Sequence, residues 1–330
     1  MNNPLLSICI PTFNRGDLLR NNMLELIEQA KPLNIPIYIS DNCSTDNTSE
    51  TVEYLKEQYF NIIYHKQMTN IYEMNFATIL RSSDSEYAWL LGDKNRISDG
   101  YLKNILNIIK DEEFDLIVVN SAPPKRVKNL PSKIYSNPIE LLEDLGWHMS
   151  WICSLIISKA LINKIDFERF SNTNFLHTAG VFDALISFNC KVLWLDEPII
   201  QWNEKFTQPS YIADTYPIFI DSWANSILSL SPKYPLKSKF KAVKDHGIKA
   251  GHFTLSGFLH RRSYKIYNKE VYLKYASVIV LFSNVPKSIL IIISIIPSWL
   301  VVFLKYTLGS ILSIIFRLTT AINLLRNRKT

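Results

Sequence analysis

Ala88-Trp89-Leu90-Leu91-Gly92-Asp93-Lys94-Asn95 is the stretch on which the fold turns. Four apolar residues run straight into Gly-Asp, followed by a lysine and an amide. A continuous apolar run of this kind reads as a strand buried on both faces. Its last residues then emerge at the carboxyl edge of a parallel sheet, where open α/β folds bind their ligands. Glycine at 92 lets backbone come close, which makes Asp93 the first candidate for function.

Working outward, the same grammar repeats. Leu5 to Ile10 is an apolar run stopped by Pro11, and Asp17 is placed to cap a helix whose apolar face is Leu18, Leu19, Met23, Leu26, Ile27 and Ala30. Ile35 to Ser40 is a second strand, and Asn47 with Glu50 has the spacing of a capping box for the helix after it. Asn61 to His65, residues 87–92 and Phe114 to Val119 read as further strands; residues 72–82 and Tyr101 to Ile109 read as helices. Strand and helix alternating at this spacing predict an α/β fold with a doubly wound, mostly parallel sheet. We place that domain at residues 1–210, a basic helical region at 211–270, and hydrophobic, basic helices at 271–330.

The chain has 330 residues and a net charge of +6. After Glu270 there is no acidic residue, whereas Lys274, Lys287, Lys305, Arg317, Arg326, Arg328 and Lys329 are basic, so the first 270 residues are close to neutral. A basic tail argues for an anionic membrane surface and against nucleic acid. Lys237, Lys239, Lys241, Lys244, Lys249, Arg261 and Arg262 precede that tail and are expected to face the membrane too. Ser288 to Leu304 is uncharged but broken by Pro297, and Tyr306 to Phe316 is shorter still, against the ~20 apolar residues of a spanning helix. Helices lying in the interface suit the pattern better than spanning ones, with a re-entrant hairpin at Pro297 as the competitor. Cys9, Cys43, Cys153 and Cys190 are scattered without a Cys-x-x-Cys pair, which reads as buried free thiols in a reduced compartment. Met1-Asn2-Asn3-Pro4 does not open a secretory signal.

Three strand-end motifs carry a resemblance. Ile10-Pro11-Thr12-Phe13-Asn14-Arg15, Asp41-Asn42-Cys43-Ser44-Thr45-Asp46 and Leu90-Leu91-Gly92-Asp93 occur in this order. Residues 5–120 thereby resemble the family 2 glycosyltransferases, which have the GT-A nucleotide-sugar fold. The middle of the chain is more loosely similar to the bacterial surface-polysaccharide branch that includes abequosyltransferase-like proteins. The resemblance implies that Pro11, Thr12, Asn14 and Arg15 line the nucleoside and phosphates of a nucleotide-sugar donor, a UDP-sugar being favoured, and that Asp41 accepts hydrogen bonds from base or ribose. Turn-forming and capping roles are the competing reading of Asp41 and Asp46. The family's third motif is Asp-x-Asp, whose second aspartate holds Mn²⁺ or Mg²⁺ on the diphosphate; here it reads Asp93-Lys94-Asn95. Either a cation binds through Asp93 and the Asn95 carbonyl, or Lys94 neutralises part of the diphosphate, or transfer is impaired. In Asn70-Ile71-Tyr72-Glu73-Met74-Asn75, Tyr72 stands where the family tends to have glycine, while Asn70 and Asn75 remain polar wall candidates.

An inverting transferase needs a base for the acceptor hydroxyl. The family's position for it points to the stretch Asn174 to Leu185, where Asp183 and His177 are the candidates, with Asp196 and Glu197 in a strand-end turn as reserve. Trp147, His148, Trp151 and Trp202 are either an acceptor wall or core. Together these readings predict an inverting glycosyltransferase acting on a polyprenyl-linked saccharide, bound peripherally to the cytoplasmic face of the inner membrane. The alternatives are a polyprenyl-phosphate glycosyltransferase and a catalytically impaired membrane scaffold.

Overall fold

The computed structural model describes residues 3–123, 126–202 and 213–303. Nine strands form one sheet: β1 (Leu6–Thr12), β2 (Ile37–Asp41), β3 (Ile62–Lys66), β4 (Tyr87–Leu90), β5 (Asn95–Ile97), β6 (Leu116–Ser121), β7 (Lys133–Tyr135), β8 (Leu155–Ser158) and β9 (Val192–Trp202). The first helices are α1 (Gly16–Ala30), α2 (Thr48–Gln58), α3 (Met74–Ser82), α4 (Tyr101–Asp111), α5 (Pro138–Met149), the short α6 (Lys159–Ile162) and α7 (Leu176–Leu185). They are followed by α8 (Trp223–Leu228), α9 (Leu236–Lys249), α10 (Leu255–Ser263), α11 (Lys269–Phe282) and α12 (Lys287–Ile295).

The sheet runs β3-β2-β1-β4-β8-β6-β9-β5, with β7 beside β9. Its β3-β2-β1-β4 half is parallel, as expected from the alternation of strands and helices. The other half corrects the expectation of a mostly parallel sheet. β8 enters between β4 and β6, antiparallel to both, while β5 and β7 run antiparallel to β9. A fully buried apolar run such as Leu155-Ile156-Ile157 needs cover on both faces whichever way it points, so its sense is not written in its pattern. β9 also runs through Asp196 and Glu197, where the sequence pattern predicts a turn. Trp89, at the centre of β4, is fully buried and donates its indole N–H to the Cys153 carbonyl (2.9 Å), so no polar group is stranded by its burial.

Local chemistry at the helix starts differs from expectation twice: Asp17 lies inside the first turn of α1, whose N-cap residue makes no side-chain cap, and the cap of α2 comes from another residue. Asp46, not Asn47, caps α2: its Oδ1 accepts from Thr48 N (3.1 Å) and its Oδ2 from Gly16 N (3.0 Å), which ties the starts of α1 and α2 together. Asn47 instead donates to Asp17 Oδ1 (2.7 Å). The approach is so close that a Cβ on Gly16 would lie 2.2 Å from Asn47 Oδ1 and 2.8 Å from Thr48 N, which leaves room only for glycine.

The chain divides into two compact units, Met1–Ala250 and Gly251–Thr330. In the first, α9 packs on α5, and one lysine of the basic run is turned inward. Lys239 is buried and donates to the carbonyls of Leu228 (3.1 Å) and Leu230 (2.5 Å); Lys241 and Lys249 pair with Asp245. Carbonyls at a helix end solvate an ammonium almost as water does. Within the second unit Arg261 is likewise buried, donating to the Gly257 carbonyl (3.1 Å), and Arg262 reaches the Ile296 carbonyl (2.8 Å). The same unit leaves Leu273, Leu281, Ile292, Ile295, Trp299 and Phe303 exposed. Among the described residues no helix is long and apolar enough to cross a membrane. The expected Tyr306–Phe316 helix and the cations from Lys305 onward lie outside the described residues.

Candidate active site

β1, β2 and β4 are parallel neighbours, so all three motif loops leave the same edge of the sheet, with Thr12 paired to Asp41 at the last register position. Asp93 is the point of convergence. Its Oδ2 accepts from Thr12 Oγ1 (3.1 Å), its Oδ1 from Arg15 Nη1 (2.9 Å), and its backbone carbonyl from Asn22 Nδ2 (2.6 Å). The Asp93 side chain is 5% exposed and that of Arg15 is 36% exposed, so the guanidinium forms the outward half of the pair. Lys94 is adjacent. Burial, and then the charge of Arg15, push its ammonium below the usual lysine range, with Asp93 opposing. Arg15, Lys94 and Asp93 together carry one net positive charge.

The second and first motifs are stitched to each other. Asp41 is fully buried; its Oδ1 accepts from Ser44 N (2.8 Å) and its Oδ2 from Tyr64 OH (2.7 Å). Burial, with the Asp41 carboxylate adding to it, raises the Tyr64 phenol to about 12. Asp41 therefore shapes the loop, with one protein donor on each of its oxygens. Asn14, in left-handed backbone at φ 51°, donates from its N–H to Ser44 Oγ (2.8 Å) and accepts on Oδ1 from Thr45 N (2.8 Å). Pro11 lies inside β1, buried and paired with Ser40, while Phe13 stands 41% exposed beside the loops.

The third wall is the Asn70–Asn75 loop. Asn70 Oδ1 accepts from Asn42 Nδ2 (2.8 Å) and from Tyr72 N (2.9 Å). Asn75 is turned inward and donates to the Ser40 carbonyl (2.9 Å), which fastens α3 to β2. Tyr72 takes φ 50°, the left-handed conformation that glycine adopts without strain, and its ring is 74% exposed.

Asn95 opens β5 and is 5% exposed. Its Oδ1 accepts from the Cys153 thiol (3.1 Å), whose sulfur in turn accepts from Gly92 N (3.1 Å). Its Nδ2 has no hydrogen-bond partner among the described residues, and the side chain lines a cavity of about 200 Å³ with Asn22, Glu25, Gln29 and Arg96. This arrangement tests the Mn²⁺ or Mg²⁺ that the resemblance implies. A hard cation wants several oxygen ligands. Here both Asp93 oxygens are engaged, one by a guanidinium, and the Asn95 oxygen is turned to a thiol. No group of three or more His, Cys, Asp or Glu side chains is placed for a metal among the described residues. The side chains as arranged do not fit a divalent cation.

The two candidate bases share α7 but not a location. Asp183, in its last turn, forms an ion pair with Arg169 and accepts from Ser231 N (2.9 Å), while Arg169 also donates to the Ser229 carbonyl (2.9 Å). His177, in the first turn, is 2% exposed, and its ring meets that of Phe76 edge-on at 5.7 Å. Its Nε2 lies 3.1 Å from the Ser150 carbonyl, which can only accept, so the proton sits on Nε2 and the lone pair on Nδ1. Nδ1 has no partner among the described residues, and burial lowers the imidazole to about 4. Trp147, His148 and Trp151 are buried, His148 on the Val119 carbonyl (2.9 Å), which makes them core; Trp202 ends β9 opposite Asn95. Asn22 and Cys153 were missed from sequence, because nothing local connects them to a residue tens of positions away.

The pattern described as Glycosyl transferase family 2 matches residues 7–171. Abequosyltransferase RfbV of Salmonella typhimurium is 27% identical over 221 residues, covering 59% of this chain and 66% of that protein, just short of two thirds of its length. In fold, the chain is similar to S. aureus TarS 1-349 in complex with UDP (TM-score 0.55, 16% identity, 86% of this chain and 90% of that one). It is also similar to the mannosyltransferase PcManGT of Pyrobaculum calidifontis, solved with GDP-Man and Mn²⁺ (TM-score 0.51, 13% identity, 92% and 87%). With the motif loops gathered at one sheet edge and half the chain matched, this protein belongs to glycosyl transferase family 2.

Proposed function

We propose that the protein transfers one sugar, with inversion, from a nucleotide-sugar donor to a lipid-linked saccharide of bacterial surface polysaccharide. The observation that carries this reading is the convergence of Thr12, Arg15 and Asp93, from two separate motifs, on one hydrogen-bonded point at the sheet edge. The nucleoside lies against the Asn14 and Asp41 loops, and the diphosphate meets Arg15 and Lys94. The acceptor hydroxyl attacks the anomeric carbon and its proton passes to a base. The anomeric C–O bond to the diphosphate breaks, and the nucleoside diphosphate leaves with the electron pair. His177 is the favoured base, since its buried Nδ1 has no hydrogen-bond partner among the described residues and burial keeps the ring neutral at pH 7, whereas Asp183 is held by Arg169 and Ser231.

UDP is favoured as the nucleotide because of the fold likeness to TarS, whose structure holds UDP. A peripheral position on the cytoplasmic face of the membrane is supported by the exposed apolar side chains of Leu273 to Phe303 in a stretch without an acidic residue. The test is release of nucleoside diphosphate from a panel of nucleotide sugars, with membrane extracts or defined polyprenyl-linked saccharides as acceptor. Turnover that Asp93→Ala abolishes supports the reading; full activity in that variant sinks it.

A further inference from the structure

We infer that Arg15 and Lys94 supply the positive charge on the donor's diphosphate, so that this protein binds its donor without a divalent cation. The inference rests on the nucleotide-sugar reading above and concerns how that donor is held.

Three observations carry it. First, the carboxylate that would ligate a metal is already occupied: Asp93 takes Thr12 on one oxygen and the Arg15 guanidinium on the other, and is almost wholly buried. A divalent ion approaching Asp93 would compete with a charge-assisted hydrogen bond and meet the Arg15 guanidinium. Second, the other half of the motif is turned away. Asn95 Oδ1 faces the Cys153 thiol and is tucked under the turn so tightly that a Cβ on Gly92 would lie 2.7 Å from it. Its amide lines the cavity between α1 and β5 instead of meeting Asp93. Third, the Arg15 guanidinium keeps the outward half of its pair with Asp93, 36% exposed where the motif loops leave the sheet, and Lys94 follows Asp93 directly in the chain. Arg15 and Lys94 repel each other there, and an anion placed between them relieves the repulsion. The 15-residue helix α1 begins at Gly16, adding the positive end of its dipole on the same side. Asp93 then acts as a positioning residue, aiming the guanidinium.

The experiment is calorimetric titration of the full-length protein with UDP, GDP, CDP and dTDP, in EDTA and again in Mn²⁺. The expected result is that one nucleotide binds with affinities within about threefold in the two conditions. Lys94→Met and Arg15→Met should each weaken it by about tenfold or more, melting temperatures confirming that both variants fold. Because Arg15 also holds Asp93, Lys94→Met is the decisive variant if Arg15→Met unfolds. Binding that drops by more than about tenfold in EDTA and returns with Mn²⁺ overturns the inference. So does EDTA-resistant binding that Lys94→Met leaves unchanged. Binding of none of the four nucleotides in either condition instead overturns the nucleotide-sugar reading itself.

Discussion

Asp93 and Asp183 are both largely buried aspartates paired with an arginine, yet they sit in opposite situations. Around Asp183 the bonding closes on itself. Arg169 spends a second nitrogen on the Ser229 carbonyl, Ser231 N fills the other carboxylate oxygen, and neighbouring Lys239 is spent on the carbonyls of Leu228 and Leu230. Around Asp93 the partners are side chains at a sheet edge, Lys94 adds a cation beside Arg15, and the sum is positive. An aspartate–arginine pair by itself is therefore no sign of a site. What distinguishes the two is where the pair sits: Asp183 is held by chain packed around α7, whereas Asp93 stands where the motif loops leave the sheet.

Four substitutions break or sharpen that contrast. Asp93→Ala should have the largest effect, lowering sugar-nucleotide turnover by about a hundredfold or more, as loss of a preorganised electrostatic group does; initial rates per folded molecule measure it. If Asp183→Ala produced the same loss, the contrast would fail.

His177 sharpens it from the other end of α7. Its folded value, about 4, lies below the ordinary 6.5, so the unfolded chain binds the extra proton first. Stability is then full above pH 6.5 and is lost as pH falls toward 4, by up to about 3 kcal/mol. Urea unfolding of wild type and His177→Gln at pH 7 and pH 4.5 should show a steeper loss of stability in the first than in the second. His177→Gln should also cut turnover by ~10²-fold while leaving nucleotide affinity alone, the mark of a lost base.

Asp183→Ala should cost about 1.5–3 kcal/mol of stability, through the hydrogen bonds it makes as a charged group, with turnover per folded molecule retained. Denaturant titration alongside rates separates the two effects. The smallest change is expected at Tyr72. Tyr72→Gly removes a left-handed non-glycine residue but raises the entropy of the unfolded chain, so stability should move by less than about 1 kcal/mol. A large gain or loss in thermal denaturation would mean that the tyrosine ring has contacts beyond its own loop.

Much of the donor edge was legible because it is written in local pattern. Apolar runs ending in Pro-Thr, Asp-Asn and Gly-Asp mark strands and the loops leaving them, and Thr12 ends its strand while Asn14, Arg15 and Asp93 lie on the loops. The opposite half of the sheet was not legible in the same way. β8 looks the same to a pattern whether it runs parallel or antiparallel, and the basic stretch around Lys239 looks like a solvated face until carbonyls are found around its ammonium.

The sequence by itself therefore determined the alternation of strands and helices, the motif order and the family they signal. Those depend on side chains a few residues apart, whose spacing the chain states directly. Tertiary structure alone decided that Arg15 takes Asp93, that Cys153 takes the Asn95 oxygen, and that Ser231 closes on Asp183 from outside its helix. Each is a contact between residues more than forty positions apart, and folding brings such residues together without leaving a periodic trace in either segment.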